Sequence, residues 1–254
     1  MKIILDTDEK TLTVKGSADE RVLDLYSDAA FEVLSQQWLK VGWNQKYPYA
    51  FSWLGRPIIQ IPEDIIRLQE VIYRLQPDVI LETGVAHGGS LIFYAGLCKI
   101  QDKGRVIGID IEIRPHNRAA IEAHPLFPYI TLIEGSSIDS NIVQQAKSLI
   151  APDETVLVIL DSCHTKNHVA YELEAYHDLI SPNFYIVATD GSMQDLNDVP
   201  RGQSNWNEDN PVAAAREFVA KHPEFVIEQP AWPFNESSLS KNITHWPDAW
   251  IKRL

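Results

Sequence analysis

Cysteine is nearly missing: Cys98 and Cys163 are the only two in 254 residues. Two thiols are too few for a disulfide scaffold or a structural zinc site, so a reducing compartment, the cytoplasm, is the expected location. Basic charge is scarce as well. Lys and Arg number 22 against 35 Asp and Glu, a net charge of −13. Such a field repels phosphate backbones and anionic lipid heads, which argues against nucleic acid and membrane surfaces as partners. No run of about 18 apolar residues occurs, so no bilayer span is expected. The opening MKIILDTDEK holds a short apolar stretch cut off by Asp6. It lacks the longer apolar core of a secretion signal. Internal repeats and low-complexity tracts are also lacking.

What the chain does have is a core. Hydrophobic residues make up 45% and charged residues 22%, ordinary for a globular protein whose apolar burial offsets the entropy of ordering. The length suits one large domain or a domain with an appendage. Near-continuous apolar runs recur: Val79–Glu82, Arg105–Ile111, Tyr129–Ile133, Val156–Leu160, Phe184–Ala188 and Phe225–Glu228. Runs of this kind suit strands buried on both faces, as in a parallel sheet. Helical patterns lie between them. Glu63–Gln76 sets Ile65, Leu68, Ile72 and Leu75 on one stripe and stops before Pro77. Asn210 and Pro211 form a cap-and-first-turn pair opening Val212–Lys221. Alternation of the two patterns predicts a doubly wound, mostly parallel α/β sheet.

Two segments fall outside this rhythm. Residues 1–60 read as an N-terminal extension and cap on a domain spanning 61–254. Within it, Ile3–Leu5 and Thr11–Val14 suggest a small hairpin, and Asp19–Leu39 a helix. The aromatic stretch Trp38, Trp43, Tyr47, Tyr49, Phe51 and Trp53 then packs on the sheet edge or walls an acceptor pocket. Gly191–Asn210 is long, polar and without periodicity, the habit of a functional loop.

The run Glu82-Thr83-Gly84-Val85-Ala86-His87-Gly88-Gly89-Ser90 follows the first apolar strand and precedes a helix, Leu91–Ile100. Glycines let backbone approach a ligand, and the helix start offers free N–H groups. The next strand reaches Asp110, a carboxylate suited to a ribose hydroxyl pair. Strand, glycine turn, helix, strand and Asp together point to a nucleoside cofactor, with Glu82, Gly84, Ala86, His87, Gly88, Ser90 and Asp110 as candidate contacts. The spacing departs from the three-glycine dinucleotide fingerprint. Glu82 at the strand end would repel a pyrophosphate but attract the ammonium of S-adenosylmethionine. That sign favours S-adenosylmethionine over NAD(P), and a methyltransferase over an oxidoreductase.

The segments Trp53–Ile58, Pro77–Ser90, Leu160–His164 and Pro211–Phe218 resemble the cephalosporin hydroxylase / rhamnosyl O-methyltransferase family over roughly residues 50–235. The resemblance implies the class I methyltransferase fold, with its seven-stranded Rossmann-like sheet. It also implies S-adenosylmethionine, in several members Mg²⁺, and O-methylation of a sugar or natural-product hydroxyl. A small-molecule hydroxyl acceptor and a homo-oligomer are the partners it allows. The hydroxylase in the family's name would need a redox centre, and no His-x-Asp…His triad in strand context is present.

Asp161 and Asp190 follow the fourth and fifth apolar strands, and ligands of open α/β sheets sit at such strand ends. Two adjacent carboxylates make a hard oxygen site for Mg²⁺; the bland reading is that each caps the element after it. Family members commonly carry glutamate before the second aspartate. Here that residue is Thr189, which leaves room for Asp195 or Asp198 as a substitute, or for a catalytically inactive binding or scaffold subunit. His164, three residues after Asp161, is the candidate general base, with Asp161 its catalytic partner and Lys166 a lesser base. His168 would share a helix face with His164, but no third histidine supports zinc. Glu134–Ser137 borders the adenine in this fold, so Ser136 and Ser137 are cofactor candidates; Ser137 or Asp139 would equally cap the next helix. Cys163 reads as a packing residue.

Overall fold

The computed structural model describes residues 1–16 and 19–254. An antiparallel meander comes first: β1 (Lys2–Asp6), β2 (Thr11–Lys15) and β3 (Glu20–Asp24). Leu12 and Val14 on β2 are its buried side. The hairpin of the first two strands is therefore joined by a strand where a helix was expected. Residues 20–24 pair with β2 in five register pairs, Thr11↔Asp24 to Lys15↔Glu20. Helix α1 begins only at Asp28, because Ser27 turns the chain and its Oγ accepts from Ala30 N at 3.2 Å. Gly42 does not end it, and α1 runs on to Asn44.

A two-stranded hairpin, β4 (Phe51–Trp53) and β5 (Arg56–Ile58), leads into α2 (Pro62–Leu75). The main sheet and its helices then alternate: β6 (Val79–Thr83), α3 (Gly89–Gln101), β7 (Arg105–Asp110), α4 (Pro115–Glu122), β8 (Ile130–Glu134), α5 (Ser140–Ser148), β9 (Val156–Leu160), α6 (Lys166–Tyr176), β10 (Tyr185–Ala188), α7 (Pro211–Lys221), β11 (Phe225–Ile227) and β12 (Trp250–Arg253). The seven strands lie in the order β11-β12-β10-β9-β6-β7-β8. Only β12 is reversed, since it pairs antiparallel with both neighbours. This is the doubly wound, mostly parallel sheet that the apolar runs predict.

Alternate residues of the central strands feed two cores. Ile80, Leu157 and Ile159 face the side of α2 and α3, where they meet Leu68, Ile72 and Leu91. Leu81, Val158 and Leu160 face α6 and α7, where they meet Val169, Leu173 and Phe218. Every residue of β6, β9 and β10 is buried, which explains why these strands read as unbroken apolar runs. Helix boundaries follow their signals: Gln76 ends α2 in the left-handed region before Pro77, and Asn210 accepts from Ala213 N to start α7. The cap of α5 is Asp139, which accepts from Asn141 N at 2.9 Å.

From β6 the chain winds outward to β8, then returns to β9 on the other side of β6. The strand order thus reverses between β6 and β9, and a crevice opens at their carboxyl ends. The polar segment 191–210 begins as a 3₁₀ turn (Gly191–Asp195) anchored by buried Met193 and Leu196. Farther on, Arg201 donates to Trp43 O at 2.9 Å and lies over the Trp43 ring, and Trp206 meets the same ring edge-on. Residues of this segment are thereby fastened to the end of α1.

Candidate active site

Gly84 is where the two sides of the crevice touch. Its φ is +94°, and a Cβ there would lie 2.0 Å from Asp161 O, so no side chain fits and the glycine loop passes directly over the end of β9. Asp161 N in turn donates to Thr83 O at 2.9 Å. Gly89 makes the second close approach: a Cβ would meet Pro57 O at 2.1 Å, which seats the β5 hairpin on the start of α3.

The loop is held by charged and amide groups. Asp110 Oδ2 accepts from Val85 N at 2.7 Å and from Ala86 N at 3.1 Å. Arg56 donates twice to His87 O, at 2.9 and 2.6 Å, and once to Asn117 Oδ1. Asn117 Nδ2 donates to Ala86 O at 2.9 Å. Glu82 is fully buried; Ser90 Oγ donates to its Oε2 at 2.6 Å and Tyr94 OH to its Oε1 at 2.8 Å. Burial first, and the nearby charge of Asp161 second, push its carboxyl well above the usual range.

Two cavities flank Gly84. One, about 220 Å³, is lined by Asp110, Ser136, Ser137, Ser162, Cys163 and His168. The other, about 210 Å³, is lined by Gln60, His87, Ser90, His164 and Asp190. Gly84, Ala86, Asp161 and Ser162 line both, so they are halves of one crevice. No Lys or Arg lines either half among the described residues. A larger groove of about 530 Å³ lies elsewhere, between α1, α2 and residues 232–243, and includes none of these acids.

Asp161, His164 and Asp190 each offer one ligand atom within 4.8 Å of the others, the one such cluster among the described residues. His164 Nε2 lies 3.3 Å from Asp190 Oδ2. Burial, then the charge of Asp190, pushes Asp161 up to about 6; His164 and donors from Thr189 and Gln60 pull it back. Thr189, fully buried, turns its hydroxyl onto Asp161 Oδ1. It serves Asp161 as a hydrogen-bond donor where the family commonly has an acid. Neither proposed substitute joins the cluster: Asp198 pairs with Lys40 at 2.9 Å, and Asp195 lines a separate groove beside Lys40.

Asp161 and Asp190 lie just past the ends of the adjacent parallel strands β9 and β10, which brings their carboxylates to one place. The two histidines part company. His164 precedes α6 and turns to Asp190, whereas His168 lies on α6 and meets Ser137, Ser162 and Glu172. Lys166 is drawn away to Glu217 at 2.5 Å. Gln60, Arg56 and Asn117 were missed. Gln60 is buried, its Nε2 3.4 Å from Asp161 Oδ2 and its Oε1 unpartnered. Its signal was a lone amide inside the apolar run Ile58–Ile61.

A family model described as Rhamnosyl O-methyltransferase/CmcI matches residues 45–254. A rhamnosyl O-methyltransferase of Mycobacterium bovis (strain BCG / Pasteur 1173P2) is 31% identical over 133 residues, 51% of this chain and 52% of that protein. The Mycobacterium leprae (strain TN) protein of the same name is 27% identical over 152 residues, 59% of this chain and 64% of its own length. The chain thus spans about half the length of the first of these relatives. The CmcI-N160 apo structure shares the fold with a TM-score of 0.53 at 18% identity, covering 81% of this chain and 77% of that one. On the family match over residues 45–254, the chain belongs to the Rhamnosyl O-methyltransferase/CmcI family.

Proposed function

We propose that the crevice binds S-adenosylmethionine and that the protein transfers its methyl group to a hydroxyl of a sugar or glycosylated natural product. The observation that carries this is the two-part crevice: a glycine loop with Asp110 on one side of Gly84, and the Asp161–His164–Asp190 cluster on the other. Asp110, Ser136 and Ser137 hold the nucleoside half. Gly84 and Ala86 let backbone lie against the sulfur end, with His87, Gly88 and Ser90 around it. Glu82, enclosed behind Ser90 and Tyr94, orders that wall. Residues 1–60 act as the cap over 61–254.

Asp161 and Asp190 fit a divalent cation such as Mg²⁺. Both are carboxylates at one crevice, and among the described residues no Lys or Arg lines it to neutralise them. Bound there, such a cation supplies Lewis acidity that lowers the pKa of an acceptor hydroxyl. Thr189 and Gln60 orient Asp161 through its two oxygens. His164 Nε2–H donates to the Asp190 carboxylate, so the ring takes the acceptor proton at Nδ1, and Asp190 stabilises the imidazolium that forms. Orientation of the acceptor oxygen in line with the methyl group is left to the crevice walls and the fastened 191–210 segment.

No helix among the described residues is long and apolar enough to cross a membrane. A thermal-shift screen of S-adenosylmethionine, S-adenosylhomocysteine and NAD, each with and without Mg²⁺, tests the reading. Stabilisation by the first two and not by NAD is expected. Stabilisation by NAD alone would replace it with a dehydrogenase, and binding without turnover on any glycoside with a scaffold subunit.

A further inference from the structure

The half of the crevice lined by Asp110 and Ser137 holds a polar network apart from the Asp161–His164–Asp190 cluster. Ser162 Oγ donates to Glu172 Oε1 at 2.7 Å. A serine has one proton, so its oxygen presents only lone pairs to His168 Nε2, 3.1 Å away. Glu172 Oε1 is 3.4 Å from the same nitrogen, and Ser137 Oγ is 3.2 Å from it. A bare Nε2 would face an oxygen lone pair and a carboxylate at once. The proton of the neutral ring therefore sits on Nε2, and Nδ1 is left as an acceptor. Glu172, which sets this polarity, is fully buried, and its Oε2 is unpartnered. Tyr176 OH, donating to Ser137 O at 2.7 Å, fixes the facing turn.

His168 lines the half of the crevice that also contains Asp110, Ser136 and Ser137. With a ribose held at Asp110, the base lies toward the far wall. We propose that His168 Nδ1 accepts a hydrogen bond from the exocyclic amine of the adenosyl group, and that the Glu172–Ser162 relay fixes the tautomer on which this depends. His168 is then the residue that separates adenine from a 6-oxopurine, whose carbonyl would set lone pair against lone pair. The inference rests on the cofactor reading above and adds a specificity determinant to it.

Calorimetry on the full chain with S-adenosyl-L-homocysteine and its 6-oxo analogue, S-inosyl-L-homocysteine, tests it. The unmodified protein should prefer the adenosyl ligand by about tenfold or more. His168→Ala should bring the two affinities within about twofold. Glu172→Leu removes the acceptor that turns the Ser162 proton away from the ring: Ser162 and Ser137 can then donate to Nε2, Nδ1–H donates to the 6-oxo group, the inosyl ligand gains affinity and the preference narrows. Glu172→Gln, which still offers Ser162 an acceptor oxygen, should keep the preference. A merely structural role for His168 would weaken both ligands together and leave their ratio unchanged, and that result overturns the proposal. So does a parent protein that binds the adenosyl ligand without discrimination, while the cofactor reading stands. A parent that binds neither ligand removes the cofactor reading itself. Should His168→Ala fail to fold, His168→Phe, which keeps a ring but offers no acceptor, decides by the same ratio.

Discussion

Asp110 directs most of its hydrogen bonding to its own chain. Oδ2 takes two loop amides, while Oδ1 takes only Glu112 N, at 3.2 Å, and the residue lines the crevice. Asp110→Ala should therefore weaken S-adenosylmethionine binding by about 1.5–3 kcal/mol, the scale of a hydrogen bond to a charged group, and lower the melting temperature as the loop loosens. Unchanged affinity in calorimetry would remove Asp110 from the cofactor site. His164→Ala separates binding from chemistry. It should cut kcat about a hundredfold or more, since a positioned base contributes typically 10²–10⁴-fold, and leave cofactor affinity nearly intact. Near-normal turnover in that variant would make His164 structural. The approach of Asp161, His164 and Asp190 was legible in the sequence because residues just past the strand ends collect along one edge of a doubly wound sheet. Gln60, Arg56 and Asn117 were not, because they reach the crevice from the β4–β5 hairpin region and α4, whose positions over the loop are set by tertiary packing alone.

At the scale of elements, the buried strands and the capped helices could be read, and the edges could not. β3 has the alternation of a helix start or a strand, and only pairing with β2 decides. β12 keeps two of its four residues half-exposed and pairs with strands far from it in sequence. The same distant segment supplies an unusual contact at the start of α2. Asp64 is buried there, where Thr244 Oγ1 donates to one carboxylate oxygen and His245 N to the other, at 2.9 Å. Burial, with the charges of Asp190 and Glu63 adding, raises it from its ordinary 3.8 to about 8. Its folded pKa thus exceeds its unfolded one. Its contribution to stability is fully present below about pH 4 and is lost as pH rises toward 8. Asp64→Asn keeps an acceptor for His245 N and a donor for Thr244 but cannot ionise. Denaturant midpoints from pH 4 to 8 should fall more for the parent than for Asp64→Asn, by a difference on the order of several kcal/mol. Parallel curves would show that Asp64 does not titrate in this window.

Over the whole molecule, the −13 charge is not evenly placed. Asp161 and Asp190 face one crevice and Glu82 lies buried behind its wall; burial first raises Glu82 and Asp161, and then the charge of Asp161 adds on Glu82 and that of Asp190 on Asp161. Without a cation there, the fold carries this repulsion itself. A divalent cation at Asp161 and Asp190 would relieve it, so binding and folding should be linked. At a hundredfold excess over its dissociation constant, a ligand specific to the folded state adds about 2.7 kcal/mol. In a chain of this size that corresponds to a rise of about 5–10 °C in melting temperature. Mg²⁺ or Mn²⁺ should produce such a rise in the parent protein and little in Asp161→Asn or Asp190→Asn, while monovalent salt at equal ionic strength should not substitute for it. EDTA should slow methyl transfer, and crystals soaked in Mn²⁺ should give an anomalous peak between the two aspartates. If melting temperature and turnover both ignore EDTA and no peak is found, the two carboxylates work without a metal, and Asp161 and Asp190 act only through His164 and the acceptor.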